Sequence, residues 1–328
     1  MTREIEVDVC IVGAGPAGLY ATYYAGFRGL TVALVDALPQ PGGQMSSMYP
    51  EKLVFDVAGH PAVKAQTLVD ALVDQAWQAD PTLVLGETAT DLDATDTGVV
   101  VRTDAGTTIR AGGAIVAAGM GRFTPRPLPA GAAYDGRGLR YFVPRLAELA
   151  GHEVLVVGGG DSAVDWALSL EPLAAGVTLV HRRDAFRAHE HSLKLLESST
   201  VKVLTPYEIS DVLGEHGVET AVVAHVDDGR CVELGVTSIV AALGFKADLG
   251  PIASWDLHRD GRDILVDRSM RTNLPRVFAV GDVAGHADKV KLISVGFGEA
   301  ATAVNHLAAT IRSGEPVMPG HSSDAVPS

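Results

Sequence analysis

Cysteine is almost missing from this chain: there are two in 328 residues, Cys10 and Cys231, far apart and in no C-x-x-C pair. That excludes a disulfide framework and offers no thiolate set for a metal, so no metal ligand is assigned. Cys10 reads simply as a core residue of the first strand. Positive charge is scarce too, with 26 Lys and Arg against 40 Asp and Glu, a formal net charge of −14. Nucleic acid is therefore not expected as a partner, because its phosphates need a basic face, although a local basic patch is still allowed. No apolar run approaches the length a membrane-spanning helix needs, so no membrane partner is expected. The first residues, Met1 to Glu6, are acidic and lead straight into a strand, which is not the pattern of a signal peptide. A cytoplasmic location is the expectation. Aromatic residues make up only 5%, while 36 glycines and 47% apolar residues suit an α/β protein built on strand–glycine–helix turns. The length points to about two domains, each able to bury its own core.

What is present begins at Val9. Val9 to Val12 is an apolar run of strand length, and Gly13-Ala-Gly15-Pro-Ala-Gly18 matches G-x-G-x-x-G. Leu19 to Phe27 reads as a helix and Leu30 to Val35 as a second buried strand ending at Asp36. Gly13 allows the tight turn, Gly15 lets the backbone approach a pyrophosphate, and Gly18 lets helix and strand pack closely. The helix N-terminus offers free N–H groups and a positive dipole end to phosphates. Asp36 stands where a carboxylate accepts hydrogen bonds from a ribose diol.

A proline- and glycine-rich loop follows to Gln44, then Met45 to Pro50. This stretch reads equally as a surface connection or as a segment over a flavin, in which Gln44 bonds the ring edge and Tyr49 stacks on it. Periodicity predicts a helix over 62–79, stopped by Asp80-Pro81. Strands are expected at 83–85, 98–103 and 107–110, then a buried one at 114–119. Prolines 125, 127 and 129 lead out of the domain.

The opening unit then recurs. Glu153 to Val157 is a strand, Gly158-Gly-Gly160-Asp161-Ser162-Ala163 fits G-x-G-x-x-A, and Val177 to Val180 is the next strand. Gly13 to Asp36 spans 23 positions, and so does Gly158 to His181. The terminal acid is replaced by His181-Arg182-Arg183, with Arg187 following. Arginines there accommodate a 2′-phosphate through charge-assisted bonds, so this copy is expected to hold NADP rather than NAD. The alternative is a solvated charge run. Short strands with turns fill 202–240, and 238–245 mirrors the exit at Gly119. The matching exits, Gly119-Met-Gly121 and Gly244-Phe-Lys, frame an inserted domain and are candidate hinges. Farther on, Asp282 can bond the ribityl chain of a flavin, and a closing helix is expected over 296–311. The tail from Gly314, rich in Pro and Ser, would by composition be disordered.

Gly-Ala-Gly-Pro-Ala-Gly at 13–18, Gly-Gly-Gly-Asp-Ser-Ala at 158–163, His-Arg-Arg at 181–183 and Phe-Ala-Val-Gly-Asp at 278–282 resemble the flavoprotein reductases of the thioredoxin reductase group. Thioredoxin reductases carry a C-x-x-C upstream of the second glycine motif; here stands Tyr141-Phe-Val-Pro-Arg145. Internal dithiol exchange is therefore excluded. Leu38-Pro-Gln-Pro-Gly-Gly-Gln, Met48-Tyr-Pro-Glu-Lys, His181-Arg-Arg-Asp-Ala-Phe-Arg and Gly296-Phe-Gly-Glu-Ala point instead to a resemblance to the ferredoxin–NADP⁺ reductases of thioredoxin reductase type, over essentially the whole chain.

The resemblance implies two Rossmann-like α/β dinucleotide-binding domains of the three-layer ββα type, with the NADP domain inserted in the FAD domain. The expected segments are 1–118 and 245–312 for FAD, 119–244 for NADP, and a tail, 313–328, covering the flavin of the partner in a homodimer. It implies FAD contacts at Gly13, Gly15, Gly18, Asp36, Gln44, Tyr49, Ala89, Phe123, Asp282, His321 and Ser323, with Tyr49 and His321 on opposite flavin faces. NADP contacts are expected at Gly158, Gly160, Asp161, Ser162, Ala163, His181, Arg182, Arg183 and Arg187. No side chain is needed as acid, base or nucleophile, so no catalytic residue is assigned. The implied reaction passes electrons from NADPH through FAD to ferredoxin or flavodoxin. Another acceptor (a dithiol protein or small molecule) and a non-catalytic redox sensor are the alternatives. An acidic ferredoxin would need a basic docking patch, for which the five arginines between Arg122 and Arg145 are candidates against the single acid Asp135.

Overall fold

The computed structural model describes residues 3–318, so the expectations for His321 and Ser323 lie outside the described residues. The described residues form two compact units: 3–47, 53–122 and 247–318 make the first, and 48–52 with 123–246 make the second. The chain passes between them within two strands, Arg122–Pro125 and Phe245–Asp248, which pair with each other.

In the first unit the strands Thr82–Leu85, Val32–Asp36, Glu4–Val12 and Thr108–Val116 lie side by side, all parallel. Thr108–Val116 then serves two partners. Its second half pairs in parallel with Val277–Ala279, and its first half pairs antiparallel with Val99–Thr103, which continues to Ala89–Ala94. The sheet therefore splits into a parallel layer and a three-stranded meander. Alternate residues of the parallel strands, Cys10, Val12, Val35 and Val84, pack in one core with Val99, Val101 and Ile109 of the meander. The helices Pro16–Phe27, Ala65–Ala76 and Ile293–Ile311 complete the unit. Burial pushes the Cys10 thiol up to about 12, which keeps it a protonated core residue.

The second unit repeats the plan. Leu139–Arg140, Ser238–Ala241, Glu153–Val157, Gly176–Val180 and Lys202–Leu204 form a parallel sheet, in that order. Beside it runs the antiparallel meander Tyr207–Leu213, Thr220–His225 and Cys231–Gly235. One sheet face, with Val154 and Val156, packs with Ala163, Ala167 and Leu196 of the helices Asp161–Leu170 and Glu190–Glu197. The other face, with Leu155 and Val157, packs with Val212 and Val223 of the meander. Two Rossmann-like α/β units of the ββα type are thus the architecture.

Several boundaries differ from the sequence expectation. The strands expected at 107–110 and 114–119 are one strand, Thr108–Val116, which runs through Gly112 and Gly113. Gly112 and Gly113 fall in the gap left between the two expected strands. They are instead the place where the closing helix comes down on the sheet: a Cβ on Gly113 would lie 2.3 Å from Leu307 Cδ1, and one on Gly112 would lie 3.0 Å from Ile311 Cγ1. The helix expected over 62–79 is preceded by a short strand, Val63–Lys64, and begins at Ala65. The closing helix starts a turn early, at Ile293. Among the described residues no helix is long and apolar enough to cross a membrane, and no cluster of His, Cys, Asp and Glu is arranged to hold a metal.

Candidate nucleotide-binding sites

The first glycine turn is built almost entirely from backbone. Gly13 leaves its strand with φ +112° and donates its N–H to Val35 O at 2.8 Å. A Cβ on it would lie 2.3 Å from Ala117 O, and one on Gly18 would lie 1.8 Å from Gly13 O. Neither position accepts any other residue. Gly15 differs. Its backbone is ordinary (φ −74°, ψ −179°), and a Cβ there would meet nothing within 4 Å. The free space at Gly15 lies at the N-terminus of the Pro16–Phe27 helix, where unpaired N–H groups attract phosphate.

Three more glycine-bearing segments close around this space. Gly42 donates its N–H to Ala14 O at 2.8 Å, and a Cβ on Gly43 would stand 3.1 Å from Gly15 Cα. A Cβ added to Gly281 or to Gly296 would lie 3.1 or 3.4 Å from Ala17 Cβ. Gln44 begins a short helix, Gln44–Met48, and its Nε2 lies 3.5 Å from where a Cβ on Gly119 would stand. Gly13, Gly15, Gly18, Gln44 and Asp36 are therefore gathered around one turn, and Gly281, the neighbour of Asp282, comes up against the same turn at Ala17. The result is a trough walled by main chain, suited to a diphosphate that needs close backbone approach.

Asp36 does more than was expected of it. Its Oδ2 accepts the Ala14 N–H at 2.6 Å and its Oδ1 the Leu38 N–H at 2.8 Å. The carboxylate thus ties the glycine turn to its own strand end. A carboxylate has room for about four hydrogen bonds, so capacity for a diol remains. Burial pushes its carboxyl above the usual range, and the two backbone donors oppose that shift. Asp282 is half-buried, and among the described residues its carboxylate accepts no hydrogen bond. Burial raises its pKa as well, while Lys289 and Lys291 pull the other way. A half-buried carboxylate of this kind is able to accept a hydrogen bond from a hydroxyl group.

The second turn is the same construction. Gly158 has φ +154°, donates its N–H to Val180 O at 3.0 Å, and would place a Cβ 2.4 Å from Ala242 O. Where the first copy needs Gly18, the second accommodates Ala163, whose Cβ comes 3.0 Å from the Cβ position of Gly158. Gly159 has no part in the motif, yet it is as constrained as its neighbours. The His181 ring packs flat on it, 2.2 Å from where a Cβ would stand. The 181–189 segment then folds back over the turn: the Arg187 N–H donates to Gly159 O at 2.7 Å, and Asp161 Oδ1 accepts the His189 N–H at 2.8 Å. The spacing argument missed Gly159 and these ties. The only sequence signal was a third glycine where the motif asks for two.

His181 Nε2 is buried and, among the described residues, has no hydrogen-bond partner. Burial lowers the ring's pKa, Arg183, Arg182 and Arg187 lower it further, and a bond with the Ala185 backbone opposes them. Arg182, Arg183 and Arg187 are exposed, and among the described residues no carboxylate lies within ion-pair distance of any of them. Three guanidinium groups without a paired carboxylate, in a chain of net charge −14, are chemically able to bind a phosphate. Gly159→Ala is expected to displace the His181 ring and destabilise the second unit by about 1–3 kcal/mol, as overpacking does. Binding of 2′,5′-ADP, followed by calorimetry, should weaken with it, and unchanged binding would detach His181 from the site.

Other expected residues fall elsewhere. Ala89 is buried at the start of the meander strand Ala89–Ala94. Tyr49 and Phe123 belong to the second unit, where Phe123 meets Phe245 edge-on. Ser162 is exposed at the start of the Asp161–Leu170 helix. The basic stretch is less basic than counting suggested, because the count stopped three residues short of Glu148. That carboxylate pairs with Arg140 at 3.0 Å and Arg145 at 2.7 Å.

The profile of the family described as Pyridine nucleotide-disulphide oxidoreductase matches residues 7–306. The ferredoxin–NADP reductase of Nocardioides sp. is 54% identical, over 98% of each chain, and that of Frankia casuarinae is 52% identical, over 96% of this chain and 98% of its own. The chain belongs to the ferredoxin–NADP reductase family. Among solved structures, Lactococcus lactis thioredoxin reductase superposes with a TM-score of 0.77 at 25% identity, covering 93% of this chain and 99% of its own. A ferredoxin–NADP reductase sequence thus lies on a thioredoxin reductase fold. The departure between the two groups falls at 141–145, where this member of the family has Tyr, Phe, Val, Pro and Arg and no thiol.

Proposed function

We propose that the chain is an NADPH-dependent flavoprotein reductase: the first unit holds FAD, the second holds NADP(H), and electrons leave to ferredoxin or flavodoxin. The observation that carries this reading is the pair of matched turns with opposite endings. One is closed by the carboxylate of Asp36, the other by Arg182, Arg183 and Arg187, which among the described residues have no carboxylate within ion-pair distance. The first ending suits a free ribose diol, and the second suits a ribose 2′-phosphate.

When bound, FAD supplies the exchange between two-electron and one-electron carriers. This chain's own residues bind and orient. The glycine cradle and the helix N-terminus at Pro16 hold the diphosphate, Asp36 faces the adenosine ribose, and Asp282 receives a ribityl hydroxyl. Gln44 and Tyr49 are assigned to the flavin ring, and Ala89 and Phe123 to its surroundings. In the second unit Gly158, Gly160, Asp161, Ser162 and Ala163 hold the pyrophosphate, and the arginines hold the 2′-phosphate. No side chain is assigned a proton-transfer step. His321 and Ser323 carry the same assignment as before, on the partner's flavin in a homodimer, which sedimentation at equilibrium would test.

Stopped-flow absorbance tests the whole reading. The flavin band is expected to bleach with NADPH far faster than with NADH. Reoxidation should be rapid with ferredoxin or flavodoxin and absent with thioredoxin. Bleaching by NADPH without turnover of any one-electron carrier would favour the reductase of another acceptor, and no bleaching at all would favour a sensor.

A further inference from the structure

Behind Asp282 lies a buried ion pair that the proposed chemistry does not use. Lys289 and Glu299 face each other with side chains only 6% exposed, Glu299 on the closing helix and Lys289 on the segment before it. Glu299 Oε1 pairs with Lys289 Nζ, and His286 Nε2 stands 3.4 Å from the same oxygen. Each partner also reaches the same glycine. Glu299 Oε2 accepts the Gly281 N–H at 2.9 Å, and Lys289 Nζ donates to Gly281 O at 3.1 Å.

Gly281 needs such support. The strand Val277–Ala279 ends its ladder when the Val280 N–H donates to Val116 O, and Gly281 then turns with φ +72°. Among the described residues its N–H is taken by Glu299 alone, and its C=O is shared between the Ala284 N–H of the following 3₁₀ turn and Lys289 Nζ. The next residue is Asp282, whose carboxylate accepts no hydrogen bond among the described residues. A buried pair of this kind adds little stability, because the desolvation of both ions offsets their attraction and an apolar pair of similar volume serves the core as well. Its worth must then lie in what it orients. Lys291, the other cation near Asp282, is engaged with Asp263 at 2.7 Å.

We propose that Lys289 and Glu299 are positioning residues for the flavin: together they grip the Gly281 peptide and thereby aim the Asp282 carboxylate at the ribityl chain. This inference rests on FAD occupying the first unit. Its test uses the holoenzyme and follows FAD release on dilution by flavin fluorescence, with thermal unfolding alongside. Lys289→Met with Glu299→Met removes both charges at once, so no buried ion is left uncompensated. FAD release is expected to quicken about tenfold, the worth of one to two hydrogen bonds, while 2′,5′-ADP binding stays as in the unchanged protein. Asp282→Ala should quicken release similarly. Combined with the double change it should add nothing, because the pair acts through Asp282. Release as slow as in the unchanged protein, effects that multiply in the triple variant, or a double variant that fails to fold would each overturn the proposal. A protein that carries no FAD before any substitution would overturn the functional reading itself, and would be seen first.

Discussion

Changing Arg182 and Arg183 together to alanine raises the KM for NADPH by about 10²–10³-fold, because two charge-assisted bonds to a 2′-phosphate are worth about 3–4 kcal/mol in sum. The KM for NADH should move by a factor of ~3 at most, since no phosphate is there to lose. Stability should hardly change. Both side chains are exposed and, among the described residues, paired with no carboxylate, so no buried group is orphaned by their removal. Arginine is the residue at issue: lysine at both positions keeps the charge but loses the planar fork, and should recover only part of the difference. Steady-state kinetics with the two nucleotides, at one ionic strength, decides it. A parallel loss for NADPH and NADH would mean that the arginines hold the segment 181–189 in place rather than reading the phosphate.

Gly15→Val and Gly18→Val, set side by side, should fail in opposite ways. At Gly15 the backbone is one any residue adopts, and a Cβ finds open space within 4 Å. The valine protein is expected to unfold within about 0.5 kcal/mol of the parent, as an unstrained surface change does. It should nonetheless emerge without flavin, with FAD affinity reduced about 10³-fold, because the side chain takes the volume a pyrophosphate needs. At Gly18 the Cβ would sit 1.8 Å from Gly13 O. There the helix must move off the turn, and stability falls by about 3 kcal/mol or more before any ligand is considered. Chemical denaturation of the flavin-free proteins and flavin content after purification separate the two effects. Full flavin content in the Gly15 variant would remove the cradle from the proposal.

How far the sequence could be read follows from the range of the interactions concerned. Both glycine turns were legible, because the demand for glycine at 13, 18 and 158 is local geometry and its spacing is written in the chain. So was the contrast between Asp36 and His181-Arg182-Arg183, since both stand at the same strand end. The meander strand Ala89–Ala94 escaped notice because Asp91 and Asp93 interrupt it with charge on a sheet edge. Gly112 and Gly113 misled for a related reason: a glycine that ends a strand and a glycine that admits a helix look alike until the helix is placed. The bond from the Ala14 N–H to Asp36, the ring of His181 on Gly159 and the grip on Gly281 all join residues well separated in sequence. No periodicity announces them.

The strand glycines have one more consequence. The Ile293–Ile311 helix touches the cradle near one end, where Gly296 meets Gly281, and rests on Gly113 through Leu307 nearer the other. Eleven residues of α-helix make a rod of about 16 Å between those points. A rod does not absorb a push; it passes it along. A methyl group added at Gly113 would lift one end and tilt the other, and in a screen for lost flavin it would score as a mutation of the site. Mapping the binding surface from such a screen alone would draw it too large, with an outpost in the middle of a sheet.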